Sequence, residues 1–491
     1  MSKLRGMRGI LASSIGVTCA AALALPLAPP AAASAGSGAP VAGVATRTAE
    51  TADARVDVPG STQSLPLQSL THDRASGAVL GLTPRTVRTF SLLGVVWDDP
   101  SADLHGRVQV RTRAAGTGEW SDWQDVETHY TEHGADPDSP EAASGQVRGA
   151  TAPLWVGESD GVEVRVLPET GSGESGGSGG AVERGAPEPQ GDVDPVDVTS
   201  GEVSALPAGL RLDLVDPGEE GATEGAEPAE GGEGPRTGVM TAAAKAASAA
   251  NSALVPLGAV EIPSLTAEET REELTALRGA DLTEQQPATP YIGPRPAIVT
   301  RAGWGADESL REKSFVYTSK VKAAFVHHTA SGNNYSCSQA PSLIRGFYRY
   351  HTRSLGWRDI GYNFLVDKCG RIYEGRAGGV AKPVKGAHTM GFNTNTTGIA
   401  VIGSYGSKKP SSKAVKAVAR LTAWKLGLHG MNPKKKTSLT SGGGNLYAKG
   451  KKVKMKVISG HRDGFNTSCP GGKLYKKLSS VRSKAAKYQG R

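Results

Sequence analysis

Hydrophobic and polar positions alternate with a period of two over much of the N-terminal half of the chain. Short alternating runs, separated by Gly and Asp turns, lie at 89–97, 106–112, 120–126, 162–166 and, beyond an inserted loop, 210–214. This period is typical of half-buried β-strands, and no segment between the runs shows the spacing of a helix. The pattern predicts an antiparallel β-sandwich over residues 56–216.

From about residue 290 the pattern changes to strands that alternate with amphipathic helices. Strands are predicted at 321–327, 362–367, 371–374, 398–402 and 453–459, and helices at 338–353, 411–428 and 472–487. In the second helix Val415, Val418 and Leu426 share one face, as they do when a helix packs on a core. Residues 290–491 are therefore predicted to form an α/β domain with helices packed on a sheet.

Stretches with few large apolar residues separate these regions. Residues 36–55 are rich in Ala, Gly and Thr, while 168–205 and 215–260 are rich in Gly, Glu, Ala and Pro. Such compositions cannot bury enough apolar surface to fold. They predict a spacer at 36–55 and a disordered linker at 217–289, interrupted by one short helix that Thr266 and Glu269 begin as a capping box.

The first 35 residues have the pattern of a secretory signal peptide. Lys3, Arg5 and Arg8 precede an apolar stretch at 9–25, and Ala-Ser-Ala follows at 33–35. About 17 mostly apolar residues are fewer than the roughly 20 that a membrane-spanning helix needs. We therefore expect a secreted protein with no stable membrane insertion after cleavage.

Charge is distributed very unevenly. Residues 401–491 carry 22 Lys or Arg against one acid, Asp463, whereas residues 169–235 are strongly acidic. A basic domain on an exported protein is attracted to polyanions. The signal peptide and the lack of a base-reading motif argue against nucleic acid, so anionic polymers of a cell wall are the expected partners.

A loop near the C terminus carries candidate metal ligands. His461 and Cys469 lie in ISGHRDGFNTSCPGG at 458–472, where Gly, Asn and Ser let both side chains turn to one point. These are ligands that zinc prefers. His327 and His328 stand at the end of a predicted strand, and side chains alternate along a strand, so one of the two supplies a third ligand. Three protein ligands leave one tetrahedral position for water, which is the catalytic arrangement.

The cysteine count fits this assignment. Removal of the signal peptide takes Cys19 with it and leaves Cys337, Cys369 and Cys469. An odd number in an oxidising compartment is explained by one thiolate on the metal and one disulfide. Because Cys469 lies among the candidate ligands, Cys337 and Cys369 are expected to pair.

Seven motifs in the last 190 or so residues together carry a resemblance. They are RAGW at 301–304, VHHTA at 326–330, DIGYNFLV at 359–366, IYEGR at 372–376, GAH at 386–388, GIAVIG at 398–403 and the 458–472 loop. In this order they resemble the zinc-dependent N-acetylmuramoyl-L-alanine amidases of the peptidoglycan recognition protein type. The resemblance implies a mixed central sheet flanked by helices, a Zn²⁺ cofactor and peptidoglycan as partner; it does not cover the first 290 or so residues.

The resemblance also implies residue roles. His327, His461 and Cys469 match the metal ligands, and Tyr362 matches a catalytic tyrosine that hydrogen-bonds the attacking water or the oxyanion. Thr467 stands where members carry a Thr or Lys that contacts the substrate carbonyl. His388 and Arg376 match substrate-binding positions, and a disulfide beginning just after the His-His-Thr segment is common in the family.

These observations predict a secreted, cell-wall-associated and monomeric zinc amidase that cleaves the bond between N-acetylmuramic acid and L-alanine. A non-catalytic recognition module is the first alternative; the resemblance disfavours it because such members have lost a zinc ligand. A zinc peptidase acting on stem peptides is the second, and would lack the Tyr and Gly-Ala-His motifs. Trp120 and Trp123 are either core residues or a platform for sugar rings, and the ligand of the N-terminal domain stays open.

Overall fold

The computed structural model describes residues 60–70, 79–169, 205–218, 240–278 and 290–491. The predicted signal peptide and the spacer at 36–55 lie outside these residues, as does part of the predicted linker. Within the described ranges, no helix is both long enough and apolar enough to cross a membrane.

Eight antiparallel strands make up the N-terminal domain. They are β1 (Ser61–Pro66), β2 (Gln68–Ser69), β3 (Leu80–Trp97), β4 (Gly106–Ala114), β5 (Gln124–Val126), β6 (Gly149–Ala150), β7 (Leu154–Pro168) and β8 (Arg211–Asp216). The order is β1-β8-β3-β7-β4-β5, with β2 and β6 also paired to β3. The predicted antiparallel arrangement is confirmed, and the strand expected at 210–214 is β8, between β1 and β3.

The strands of the predicted β-sandwich are all hydrogen-bonded into one continuous sheet. Three register shifts interrupt the pairing of β3 with β7, and such bulges bend long strands. One face encloses a fully buried interior that includes Leu93, Val95, Val164 and Leu212. Every member of this interior belongs to the sheet or its loops, so the sheet covers itself.

The C-terminal domain is built on a seven-stranded sheet with flanking helices. Its elements are α1 (Ala242–Ala249), β9 (Glu261–Ile262), α2 (Ala267–Arg278), β10 (Ile298–Val299), β11 (Ala323–His328), α3 (Ala340–Arg349), β12 (Phe364–Val366), β13 (Ile372–Glu374), β14 (Thr396–Val401), α4 (Ser412–Gly427), β15 (Lys436–Thr440), β16 (Lys452–Lys456), β17 (Ile458–Gly460), α5 (Gly472–Tyr475) and α6 (Leu478–Tyr488). The sheet order is β17-β11-β14-β12-β13-β10-β9. β11 is parallel to β14 and β17, while β12 and β13 are antiparallel to each other. The predicted mixed sheet is confirmed.

Two predictions need correction. The linker predicted at 217–289 is wrong for residues 240–265, where α1 and β9 form, whereas the short helix predicted within it is present as α2. β9 pairs with β10, and the buried Asn251 donates to the Glu374 carboxylate at 3.0 Å. These contacts are tertiary, so local composition did not show them. The strand predicted at 453–459 is two strands, of which β16 forms a separate hairpin with β15 and β17 joins the main sheet. The capping box is present, with the Thr266 amide donating to Glu269 at 2.8 Å.

The outer face of the N-terminal sheet packs on the C-terminal domain. Leu92 and Val96 of β3, with Val215 of β8, share a buried cluster with Leu343 and Phe347 of α3. A Cβ on Gly94 would lie 2.2 Å from the Tyr350 hydroxyl, so glycine is required at this contact. That hydroxyl donates to the Thr151 carbonyl at 3.0 Å. The two domains are therefore joined by a buried, close-packed interface.

Candidate metal centre

The centre is built at the end of β11, the second strand of the sheet. β11 lies between β14 and β17 and ends at His327 and His328. Consecutive side chains on a strand point to opposite faces. The ring of His327 lies 4.6 Å from that of His461. His328 instead accepts a hydrogen bond from the Tyr405 amide at 3.2 Å, so it packs on the opposite side.

His461 and Cys469 come from the strand next to β11. β17 is parallel to β11 and ends at Gly460, so His461 follows at the same edge of the sheet as His327. The loop then returns, and the Cys469 amide donates to the Thr467 hydroxyl at 3.1 Å. Cys469 Sγ lies 3.8 Å from His327 Nδ1. Zinc bonds of 2.0–2.1 Å to nitrogen and 2.3 Å to sulfur give a tetrahedral separation of about 3.6 Å, so this spacing fits one ion.

A fourth donor, His133, comes from the N-terminal domain. The ligand atoms of His133, His327, His461 and Cys469 all lie within 4.8 Å of one another, and all four side chains are buried. In the part of the chain that the structure describes, neither ring nitrogen of His133 or of His461 has a hydrogen-bond partner. An unpaired buried polar group costs about 1–3 kcal/mol, so these nitrogens fit a metal ion. A set of imidazoles and one thiol suits zinc.

Burial sets the protonation of these donors. It lowers the pKa of His133 to about 3 and those of His327 and His461 well below the usual value, and neighbouring imidazoles add to the effect. The rings are therefore neutral and keep the lone pair that binds a metal. Burial also raises the pKa of the Cys469 thiol, so the thiolate forms only where a cation stabilises it.

Tyr362 lies beside the donors in a hydrogen-bonded chain. Its ring is 5.5 Å from that of His327, and its hydroxyl is 3.2 Å from the Tyr130 hydroxyl. His351 Nδ1 accepts a hydrogen bond from the Gly361 amide at 3.2 Å, so the ring proton of His351 is on Nε2. That Nε2 lies 2.7 Å from the same Tyr130 hydroxyl. His351 thus donates to Tyr130, which leaves the Tyr130 proton for Tyr362.

None of the other predicted site residues is exposed. Thr467 donates to the Glu132 carboxylate at 2.8 Å. Arg376 is buried and donates two hydrogen bonds, of 2.9 and 2.8 Å, to Glu141. The ring of the fully buried His388 is 5.3 Å from that of His327. His388 was expected to bind substrate, and the structure shows its ring packed against that of His327.

Sequence reasoning missed the residues of the N-terminal domain at this site, namely Tyr130, Glu132, His133 and Glu141. They lie in the connection between β5 and β6, which contains short 3₁₀ turns and no periodic pattern. One signal was present. The run HYTEH at 129–133 places two histidines and a glutamate in a loop that no strand explains.

The predicted cysteine pair and tryptophans lie away from the metal centre. Cys337 and Cys369 form a disulfide with a Cα–Cα distance of 6.2 Å, between the start of α3 and the β12–β13 turn, whereas Cys469 is free and buried. The guanidinium of Arg165 lies 4.1 Å from the Trp123 ring centre, and that of Arg111 lies over both Trp120 and Trp123. Both tryptophans are partly buried, so they form neither an interior nor a bare platform.

The fold and the four donors together define an α/β domain with a buried His/Cys metal-binding centre. Residues 317–472 match the family model described as N-acetylmuramoyl-L-alanine amidase. Through its C-terminal domain, the chain belongs to the family of these amidases and the peptidoglycan-recognition proteins. Residues 48–191 match a second model, described as Rv3811 N-terminal galactose-binding domain-like.

Curated relatives and solved structures align with this C-terminal domain. Peptidoglycan-recognition protein 1 of Holotrichia diomphalia is 30% identical over 184 residues, which are 37% of this chain and 79% of that protein. Peptidoglycan-recognition protein SC2 of Drosophila simulans is 29% identical over 37% of this chain and 84% of its own length. A crystal structure of peptidoglycan-recognition protein LE in complex with tracheal cytotoxin, a monomeric diaminopimelic acid-type peptidoglycan, is 28% identical and covers 37% of this chain and 92% of that one, with a TM-score of 0.29.

Proposed function

We propose that this protein is a zinc-dependent N-acetylmuramoyl-L-alanine amidase that hydrolyses the amide bond between N-acetylmuramic acid and L-alanine in peptidoglycan. The observation that carries the proposal is the convergence of His327, His461 and Cys469 at one edge of the sheet, with Tyr362 beside them. Membership of a family of amidases and peptidoglycan-recognition proteins supports peptidoglycan as the partner.

The residues of the C-terminal domain have distinct roles in this reaction. Zinc, when bound, supplies a Lewis acid that polarises the amide carbonyl and activates water. Tyr362 donates its phenolic hydrogen to the oxygen that becomes negative as the amide carbon is attacked. The Thr467 hydroxyl contacts the substrate carbonyl, and the Arg376 guanidinium binds a carboxylate of the substrate. His388 packs against His327 and holds its ring in place.

Three protein donors from the family domain favour an enzyme over a module that only recognises peptidoglycan. His327, His461 and Cys469 are all retained, and a binding module needs none of them. A zinc peptidase that cuts within the stem peptide would use the same metal. The Tyr362 and Gly-Ala-His positions of the amidase family favour the amide at the sugar.

The hairpin β15–β16 supports an anionic polymer of the cell wall as a second partner. Lys452, Lys454 and Lys456 are exposed on one face, and Lys436 stands directly opposite Lys456. Like charges in opposite positions destabilise a strand pair. Binding of a polyanion offsets this repulsion, which is consistent with a secreted enzyme that acts on a charged, insoluble wall.

The test is mass spectrometry of the products formed from purified muropeptides. The assay uses the zinc-loaded full chain and a chain with Asp136→Ala and Glu141→Ala. Both carboxylates belong to the β5–β6 connection and bind the C-terminal domain, Asp136 through Asn393 and Glu141 through Arg376, so the two changes weaken the contacts that bury the site. Stem peptides with a free L-alanine amino group, together with an intact sugar, are the expected products. Cleavage between stem residues would instead support a peptidase. Binding without cleavage by either chain would support a recognition module.

A further inference from the structure

One segment of the N-terminal domain covers the candidate metal centre. We name residues 130–141, between β5 and β6, the plug segment. Its side chains Tyr130, Glu132, His133, Asp136 and Glu141 are buried, and each contacts the C-terminal domain. A loop normally runs over a surface in contact with water. Here the side chains of the loop are buried against the centre.

The plug segment is bonded to each polar group that we propose acts on the substrate. The Tyr130 hydroxyl is 3.2 Å from that of Tyr362. The Glu132 carboxylate accepts the Thr467 hydroxyl at 2.8 Å. The Glu141 carboxylate accepts both terminal nitrogens of Arg376. A substrate cannot contact these three groups until the plug segment has moved.

Asp136 anchors the middle of the plug segment. Its Oδ1 accepts from the Gly391 amide at 3.0 Å, the Asn393 amide at 3.3 Å and the Asn393 side chain at 2.9 Å. Lys385 Nζ lies 3.3 Å from the other carboxylate oxygen. Hydrogen bonds to a charged acceptor are about twice as strong as neutral ones. The plug segment is therefore fixed independently of any metal.

His133 occupies the remaining side of the centre. Its ring lies 4.5 Å from that of His461 and 5.4 Å from that of His327, and it stacks on Tyr130 at 4.6 Å. Catalytic zinc sites have three protein ligands and one open position, whereas a site with four protein ligands is closed. The C-terminal domain supplies three donors, His327, His461 and Cys469, and the N-terminal domain adds His133 as the fourth.

We propose that His133 is a fourth zinc ligand and that the plug segment keeps the full chain in a closed, latent state. The inference rests on the proposed zinc amidase and adds its regulation. Activity then requires the plug segment to leave the centre, which depends on the interface between the N-terminal sheet and α3. The N-terminal domain is an inhibitor of the catalytic domain in the same chain.

The first test examines the metal and not the reaction. The full chain is loaded with Co²⁺, azide is added, and the visible absorption spectrum is recorded for the wild type, His133→Ala and His129→Ala. His129 is the matched control because it is an exposed histidine four residues earlier in the same connection. We expect azide to change the spectrum of His133→Ala alone. A competing chelator should also remove zinc from that variant at least about ten-fold faster, since even indirect support of a ligand is worth that much.

Equal responses to azide in all three proteins would overturn the closed site. The His133→Ala change removes a ring that makes no hydrogen bond within the described part of the chain, so folding should be preserved. His133→Asn is a second variant that keeps a polar group of smaller size, and it should respond to azide like His133→Ala. An unchanged spectrum in both variants would also overturn the assignment.

The second test compares release of L-alanine-terminated peptides from muropeptides. Asp136→Ala with Glu141→Ala should raise turnover by at least about ten-fold, because both anchors of the plug segment are lost. Asp138→Ala is the control, since it removes a carboxylate of the same segment whose only ion pair in the described structure, with Lys449, is exposed. It should not change turnover.

The two proposals fail differently in these tests. If the wild type and the doubly substituted chain cleave equally fast, the latent state is refuted and the amidase function stands. If neither chain cleaves but azide binds only after removal of His133, the closed metal site stands and the amidase function is refuted.

Discussion

Leu92→Ala tests whether the apolar contact between β3 and α3 holds the plug segment over the centre. Leu92 is fully buried on the outer face of the sheet, and a Cβ on Gly346 of α3 would lie 3.2 Å from its Cδ1. Truncation of a buried leucine costs about 2–5 kcal/mol, from lost transfer free energy and the cavity left behind. Here the loss falls on the contact between domains. At 1.4 kcal/mol for each factor of ten, undocking should become about 30-fold or more as frequent.

Leu93→Ala is the matched control for this change. Leu93 is the next residue of β3, is equally buried, and faces the interior of the N-terminal sheet. The chemical change and the burial are the same, so only the face of the strand differs. Leu93→Ala should destabilise the sheet itself.

Hydrogen exchange measured by mass spectrometry distinguishes the two variants. In Leu92→Ala we expect faster exchange in peptides from residues 130–141 and α3, while β4 and β7 keep their protection. In Leu93→Ala the strands themselves should exchange faster. Unchanged exchange of residues 130–141 in Leu92→Ala would refute the reasoning, because the plug segment would then be held without the interface.

Three further predictions concern other parts of the molecule. Tyr362→Phe, introduced into the chain with Asp136→Ala and Glu141→Ala, should retain zinc and lower turnover by about 10²- to 10³-fold, the usual cost of one transition-state donor. Equal turnover would show that Tyr362 serves packing alone. Cys337→Ser should lower the free energy of unfolding by about 3–4 kcal/mol, because the disulfide closes a loop with a sequence separation of 32, and reduction of the wild type should reproduce the loss. Burial raises the pKa of Glu141, but the nearby Arg376 and Arg358 outweigh burial and hold that pKa below 4.5. The docked state should therefore be stabilised above pH 4.5 and lose this contribution as the pH falls through the lowered pKa of Glu141. Hydrogen exchange of the plug segment measured against pH should show this dependence in the wild type and not in Glu141→Gln.

Local pattern predicted most of the C-terminal domain, but not α1, β9, β10 or β15. The strands and helices predicted from residue 321 onward all have counterparts, because each buries one face against its neighbours and the apolar period records that face. The motifs also identified His327, His461 and Cys469 as candidates. His327 and His461 stand at the ends of the parallel strands β11 and β17, and such ends meet at the same edge of a sheet, whereas Cys469 comes from the loop that follows.

The two domains could be predicted separately, but not their contact. Residues 92–97, Leu-Leu-Gly-Val-Val-Trp, are apolar at every position, which is typical of a strand buried on both faces. The structure shows both faces covered, one by the interior of the N-terminal sheet and the other by α3. Nothing in the run indicates which element covers the second face.

The sequence by itself indicated most of the elements from residue 321 onward, the cysteine pairing expected from the count, and His461 and Cys469 as metal donors, because these follow from short-range periodicity and ligand chemistry. The choice of His327 over His328 came from the family resemblance. Only the tertiary structure brought His133 to the centre as a fourth candidate donor. A loop has no period that records its burial, and its side chains are positioned by the docking of a sheet far away in the chain. Whether the centre is open or closed is therefore a property of the domain interface.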